Sequence, residues 1–381
     1  MLYFKKEVSS LHHEEHQEVW SVRGVVRERT QSAEKEEEYM PIRFERRQKI
    51  ARYLDPRTDF QETTIACEMR WDPLTGRSGR VAHGLGFHIH PLDVAPLVAA
   101  SQPSCPFCPD RLFEVTPRFP VEIVPEGRLK LGEAVLFPNL VPYDEHSAIT
   151  VMSQEHYVPL GTFTQSQLFH AFRVCQDYLH YAQRHPQTTY ALVFWNYFPA
   201  SGGTQIHPHL QVFATDTPGN TLEEELTCSL RYYREEGRSY WADLLLAEER
   251  LGERWVARGA QSAWLTSFVS QSLLTDTLIL FPEHQTIVDL ADEALDEFCR
   301  GLGQALHHLA SQGVYSFNLA WFSGVAGSQE MCLHARLSPR LYLTPSLWGT
   351  DTTALQHLYQ EHFMVQTPEA AATALQEAIK L

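Results

Sequence analysis

The 381-residue chain has no basic excess, no long apolar run and no cysteine framework, and each absence removes a class of function. Lys and Arg number 31 against 47 Asp and Glu, a formal net charge of -16. Such a balance repels nucleic-acid backbones and anionic membrane surfaces, so no nucleic acid and no membrane is expected as partner. A small anionic substrate stays open, because local arginines decide that. No stretch approaches the roughly 20 apolar residues that span a bilayer. The opening residues Met1-Leu2-Tyr3-Phe4-Lys5-Lys6-Glu7 lead into no apolar h-region, so the expected location is the cytoplasm. The 7 cysteines are an odd set, and Cys67, Cys175, Cys228, Cys299 and Cys332 stand isolated, which argues against disulfides.

What is present is globular: 44% apolar and 20% charged residues. Residues 1–59 read as a charged N-terminal extension, with the run Glu34-Lys35-Glu36-Glu37-Glu38. Two domains are expected after it, at 60–225 and 226–381. They repeat one pattern. In the first copy a β-rich run, Ala148 to Met152, leads to His156. An amphipathic helix follows with Leu168, Phe172, Cys175, Leu179 and Ala182 on one face and Thr164 with Gln167 as a capping box. A strand, Tyr190 to Asn196, then leads to His207. In the second copy Thr277 to Phe281 leads to His284, a helix carries Leu295, Phe298, Leu302, Leu306 and Leu309, and Tyr315 to Trp321 leads to His334. Matched order and near-equal spacing point to a duplication.

Chemistry concentrates in Ser201-Gly202-Gly203-Thr204-Gln205-Ile206-His207-Pro208-His209-Leu210-Gln211. In an extended strand His207, His209 and Gln211 share one face. The Ser-Gly-Gly-Thr turn offers backbone N–H groups and a hydroxyl suited to phosphate. Imidazole, amide and phosphate cradle together suggest phosphorus chemistry. Aligned by identity, the second copy has His334-Ala335-Arg336-Leu337-Ser338, with Arg336 where the first has His209. Only the first copy is then expected to do imidazole chemistry, leaving Arg336 to grip substrate.

Cys105-Pro106-Phe107-Cys108 is a C-x-x-C knuckle able to chelate Zn²⁺ through two thiolates at about 2.3 Å. No second C-x-x-C completes it, so histidines must, and His156 and His207 are the candidates. A closed tetrahedral zinc would be structural, pinning His207 and so the strand that aims His209.

Four segments in order resemble the galactose-1-phosphate uridylyltransferase family of the histidine-triad superfamily. They are Arg70-Trp71-Asp72-Pro73-Leu74-Thr75-Gly76, the Cys105–Cys108 knuckle, Phe137-Pro138-Asn139, and Phe194-Trp195-Asn196 through His207-Pro208-His209-Leu210-Gln211. The H-L-Q ending is also similar to the diadenosine tetraphosphate phosphorylase branch. The resemblance implies an α+β fold of duplicated histidine-triad-like half-barrels, antiparallel sheet with helices packed on it, and a homodimer. It implies His209 as the nucleophile taking up a nucleotidyl group, Gln211 on the phosphoryl oxygens, and Asn196, Ser201, Gly202, Gly203 and Thr204 around the phosphate. Phe107, Phe137 and Asn139 match a base and ribose pocket, and Cys105, Cys108, His156 and His207 match zinc ligands. Substrates would be a nucleotide-sugar or dinucleoside polyphosphate, with a sugar 1-phosphate or phosphate as acceptor. Departures are Leu140 for an aspartate, Leu210 for a glycine, and displaced arginines that leave Arg77 and Arg80 nearby. Phe322 and Arg336 fall at histidine positions of a second metal site, so no second metal is expected.

Overall fold

The computed structural model describes residues 42–83, 87–184 and 188–381, so most of the charged extension, residues 1–41, lies outside the described residues. The fold is mixed α+β, as expected, and centres on a ten-stranded antiparallel sheet. From one edge its strands are Leu129–Leu131, Ala134–Pro138, His146–Val151, His209–Thr215, Tyr190–Tyr197, Ser316–Phe322, Leu333–Arg340, Thr277–Phe281, Ala263–Thr266 and Trp255–Arg258. Outward from the middle, both halves have one plan. The innermost strand follows the helix, the next closes the repeat, the third precedes the helix, and a hairpin lies beyond. The duplication is therefore real, and its two copies share one sheet through the antiparallel pairing of Tyr190–Tyr197 with Ser316–Phe322.

Each repeat lays one long helix, Gln165–Ala182 or Asp292–Ser311, on the same side of the sheet. The first has the capping box of Thr164 and Gln167 read from the sequence. Leu168, Phe172, Cys175, Leu179 and Ala182 are all buried, as are Leu295, Phe298, Leu302 and Leu306. Phe298 lies 5.4 Å from Phe172 and 4.5 Å from Trp321, which joins the repeats in one core. Each such side chain contributes about 1.5–3 kcal/mol by leaving water. Strand residues of odd parity in Tyr190–Tyr197, and Leu210, Val212 and Ala214, face these helices. Alternation sends His209, Gln211 and Phe194 to the opposite face, where the site lies.

That opposite face is covered differently in the two halves. Over the second repeat lie the helices Asn220–Glu236 and Tyr240–Leu251, with Tyr240, Trp241, Leu244 and Leu245 packed on Leu265, Leu278 and Leu280. The first of these helices runs straight through the expected boundary between residues 225 and 226. A second sheet, built from Arg46–Asp55, Gln61–Trp71, Ser78–Ala82 and His362–Met364, begins inside the segment read as extension.

Candidate active site and metal centre

Three separate segments meet at the metal group. Cys105 and Cys108 lie at the start of the short helix Pro109–Val115, His156 follows the strand His146–Val151, and His207 ends the loop before His209–Thr215. All four are buried, and one ligand atom from each lies within 4.8 Å of every other. His207 Nδ1 is 3.7 Å from Cys105 Sγ and 3.8 Å from Cys108 Sγ, and His156 Nδ1 is 3.5 Å from Cys108 Sγ. These separations match the edges of a tetrahedron with metal–sulfur bonds near about 2.3 Å and metal–nitrogen bonds near about 2.0 Å. The outer nitrogens agree. His207 Nε2 donates to the Ser153 carbonyl at 2.8 Å, and His156 Nε2 meets Ser101 Oγ at 2.8 Å. A carbonyl only accepts, so His207 carries its proton on Nε2 and turns a lone pair on Nδ1 inward. Burial pushes the Cys108 thiol up to about 12 and His207 down to about 4. A cation placed among them would hold the cysteines as thiolates, releasing their protons, while the imidazoles offer neutral lone pairs. The chain's own residues therefore fit one tetrahedral metal ion.

His209 opens its strand with the side chain buried, opposite Val151. Its Nδ1 donates to the His207 carbonyl at 2.9 Å, which again fixes the tautomer and leaves the lone pair on Nε2. No protein group among the described residues bonds that nitrogen. Burial lowers the ring's proton affinity, outweighing the support of the His207 carbonyl, which favours the neutral imidazole. Phe107 packs edge-on, 5.2 Å from His209 and 6.2 Å from His207, and contacts Phe137 at 5.8 Å. Beneath, Phe137 joins Leu112, Val135, Ile149 and Val151 in a small apolar floor. Gln211 sits half-buried between Ile149 and Phe194. Asn139 is half-buried, with Oδ1 accepting from Val141 N at 3.2 Å.

The glycine turn has a steric reason. Gly202 has φ +87°, and a Cβ on Gly203 would lie 2.8 Å from the Asn196 carbonyl oxygen. Ser201 spends its hydroxyl at home, donating toward the carbonyls of Phe198 at 2.7 Å and Tyr197 at 3.0 Å. The amides of Ser201 and Gly202 close the turn on Phe198 and Pro199. Those of Gly203 and Thr204 meet no acceptor among the described residues, so the phosphate-cradle reading narrows to these two donors.

The three arginines lie elsewhere. Arg77 pairs with Glu224 at 2.6 Å and Arg80 with Glu361 at 3.4 Å. Arg336 reaches Ser267 Oγ at 3.0 Å and lies 3.6 Å from Glu225 and 3.5 Å from Asp276. Arg77 and Arg336 line a cavity of about 410 Å³ over the second repeat.

The structure also shifts the internal alignment by two residues. His334 Nδ1 donates to the Cys332 carbonyl at 3.0 Å, the same bond two residues back that His209 makes. Across the seam Phe194 faces Ala320, and their outward neighbours are Gln211 and Arg336. His334 thus stands where His209 does, and Arg336 where Gln211 does. The second repeat has kept its imidazole and lost access to it. His334 is fully buried between Phe322, stacked at 4.8 Å, and Trp241 at 4.5 Å, with Nε2 3.3 Å from Glu225. Identity matching of His-x-His with His-x-Arg missed this, since only strand register reveals it.

The fold is that of the uridylyltransferase-like proteins. An ADP-glucose phosphorylase from Arabidopsis thaliana, solved with bound ADP-glucose, superposes with a TM-score of 0.65 at 17% identity, over 83% of this chain and 100% of that one. A galT-like protein from the same plant gives 0.63 at 17% identity, over 83% and 99%. A uridylyltransferase gives 0.60 at 18% identity, over 81% and 97%. No protein-family model matches the chain. In sequence it is 30% identical over 312 residues to an uncharacterized protein of Archaeoglobus fulgidus, covering 81% of this chain and 92% of that protein, and it belongs to the same family.

Proposed function

We propose that the protein is a nucleotidylyltransferase that works through a covalent nucleotidyl-His209, moving a nucleotidyl group from a nucleoside diphosphate sugar to a sugar 1-phosphate. The observation that carries this is the bond from His209 Nδ1 to the His207 carbonyl, which leaves a neutral Nε2 lone pair with no protein partner. Nε2 attacks the α-phosphorus in line, the N–P bond forms, and the P–O bond to the departing sugar 1-phosphate breaks. The ring becomes cationic, and its Nδ1 proton on a carbonyl stabilises it. A phosphate oxygen of the acceptor then attacks phosphorus, and the N–P bond breaks. Gln211, with the amides of Gly203 and Thr204, is suited to the equatorial oxygens. Phe107, Phe137 and Asn139 are suited to base and ribose. The metal is zinc on this reading, held by Cys105, Cys108, His156 and His207. It is structural, with four protein ligands, and its task is to fix His207 and so the carbonyl that orients His209.

A phosphorylase using orthophosphate shares the first step and differs only in acceptor; Leu140 and Leu210, departures from the transferase pattern, favour keeping it. Incubation with radiolabelled UDP-glucose, ADP-glucose or diadenosine tetraphosphate should leave acid-labile label on the protein. Chasing with a sugar 1-phosphate or with phosphate separates transferase from phosphorylase. If no donor labels the protein, both enzymatic readings fail and a zinc-stabilised nucleotide-binding protein remains.

A further inference from the structure

We propose that Asn318 and Arg340, both in the second repeat, are positioning residues that decide which end of the Asn196 carboxamide faces the phosphoryl group. The proposal rests on the reading that His209 accepts a nucleotidyl group. Asn196 lies on the same face of the sheet as His209, two residues beyond the Phe194–Gln211 pair at which the ladder ends. Across the seam it is in register with Asn318.

A carboxamide is nearly symmetric in shape, so proton supply must fix its direction. Here the supply starts at Arg340. Its guanidinium is anchored on the buried Asp351, with Nε at 2.9 Å and Nη2 at 2.6 Å from Oδ1, while Nη1 donates to Asn318 Oδ1 at 2.7 Å. A guanidinium only donates, so the Asn318 oxygen must be the acceptor. The Asn318 Nδ2 protons then go to Asn196 Oδ1 at 2.7 Å and to the Ser201 carbonyl at 3.0 Å. Asn196 has its oxygen occupied and its Nδ2 protons left for a ligand. Turned over, it would set one NH₂ against another and forfeit the bond. A phosphoryl oxygen beside His209 therefore meets N–H rather than C=O. The bond to Ser201 also ties down the turn before Gly203 and Thr204. The second repeat thus sets donor direction in the first.

The discriminating variant is Asn318→Asp, which keeps the shape and the Arg340 contact but has no protons for Asn196 or Ser201. With whichever donor labels the wild type, the labelling rate constant at saturating donor is expected to fall about 10- to 100-fold. Zinc content should be retained, and the side-chain amide ¹⁵N–¹H resonances of Asn196, identified by their loss in Asn196→Asp, should shift. Arg340→Lys, still a pure donor, is expected to label at least about fivefold faster than Arg340→Met, the worth of one hydrogen bond. A lowered melting temperature with wild-type labelling at saturation and unmoved Asn196 resonances would overturn the proposal. If the wild type labels with no donor, the functional reading falls, and the Asn196 resonances alone then decide this one.

Discussion

A carbonyl oxygen brings no proton of its own, so the 2.9 Å contact between His209 Nδ1 and His207 obliges the ring to supply it. At neutral pH, ¹⁵N spectra of histidine-labelled protein should show His209 protonated on Nδ1 and bare on Nε2; the opposite tautomer would remove its candidacy as nucleophile. His209→Ala should abolish covalent label while keeping zinc. Gln211→Ala should slow labelling about 10²-fold, the cost of one lost donor to a developing oxyanion. The alternation of His209 and Gln211 made this face legible in the sequence. His207 was legible as a ligand only through the knuckle and the repeat, because the strand starts at His209 and the i, i+2 rule does not reach back to it. Asn318 and Arg340 were not legible at all. Their partners lie 122 residues back and 11 residues on, and amides and arginines on a strand carry no local signature.

Among the elements, the C-terminal helix Pro368–Ala378 is tied to the rest by Glu369 at its first turn. Glu369 takes Arg70 at 2.9 and 3.0 Å and Arg254 at 3.1 Å. Arg70 and Arg254 are almost fully buried and keep Glu68 and Glu248 as their other partners. Burial alone would raise the Glu369 carboxyl, but the hydrogen bonds and charge of Arg70, with the charge of Arg254, hold it below its ordinary value. A carboxyl lowered by folding stabilises above its unfolded pKa, and that contribution is lost as pH falls through the folded value. Glu369→Gln should therefore cost about 3 kcal/mol near neutral pH, since two buried guanidiniums lose a charged partner. The gap in denaturant midpoints should close below the ordinary carboxyl range; an equal gap at acid and neutral pH would refute the assignment. The group of Cys105, Cys108, His156 and His207 makes the other tie between segments once it holds a metal. Cys108→Ser should release zinc and lower the melting temperature, measured by metal analysis and calorimetry on the same sample.

On the scale of the whole molecule, the order of elements and the helix faces could be read from hydrophobic period and the recurring histidine spacing. The lid over the second repeat could not. Nothing local in Asn220–Glu236 or Tyr240–Leu251 says that Trp241 lies on His334 or that Glu225 faces it, because both contacts depend on how the segment after His209–Thr215 folds back across the sheet. Trp241→Ala is expected to destabilise by about 3–5 kcal/mol, as for other large buried aromatics. It should add no second labelled histidine, because Glu225 and Phe322 still occupy the His334 ring; two labels per chain would show that burial alone silences this copy.

The pairing of Tyr190–Tyr197 with Ser316–Phe322 has a consequence for descent. It is what the contact between two identical half-length chains would become once a single gene encoded both. In two identical half-length chains a single mutation alters both partners at once, so neither can diverge from its twin. Joined in one polypeptide, the halves could drift separately while keeping a common backbone ladder. One half could then cover its strand histidine, His334, with Trp241 and Phe322, while the other kept a different environment around His209.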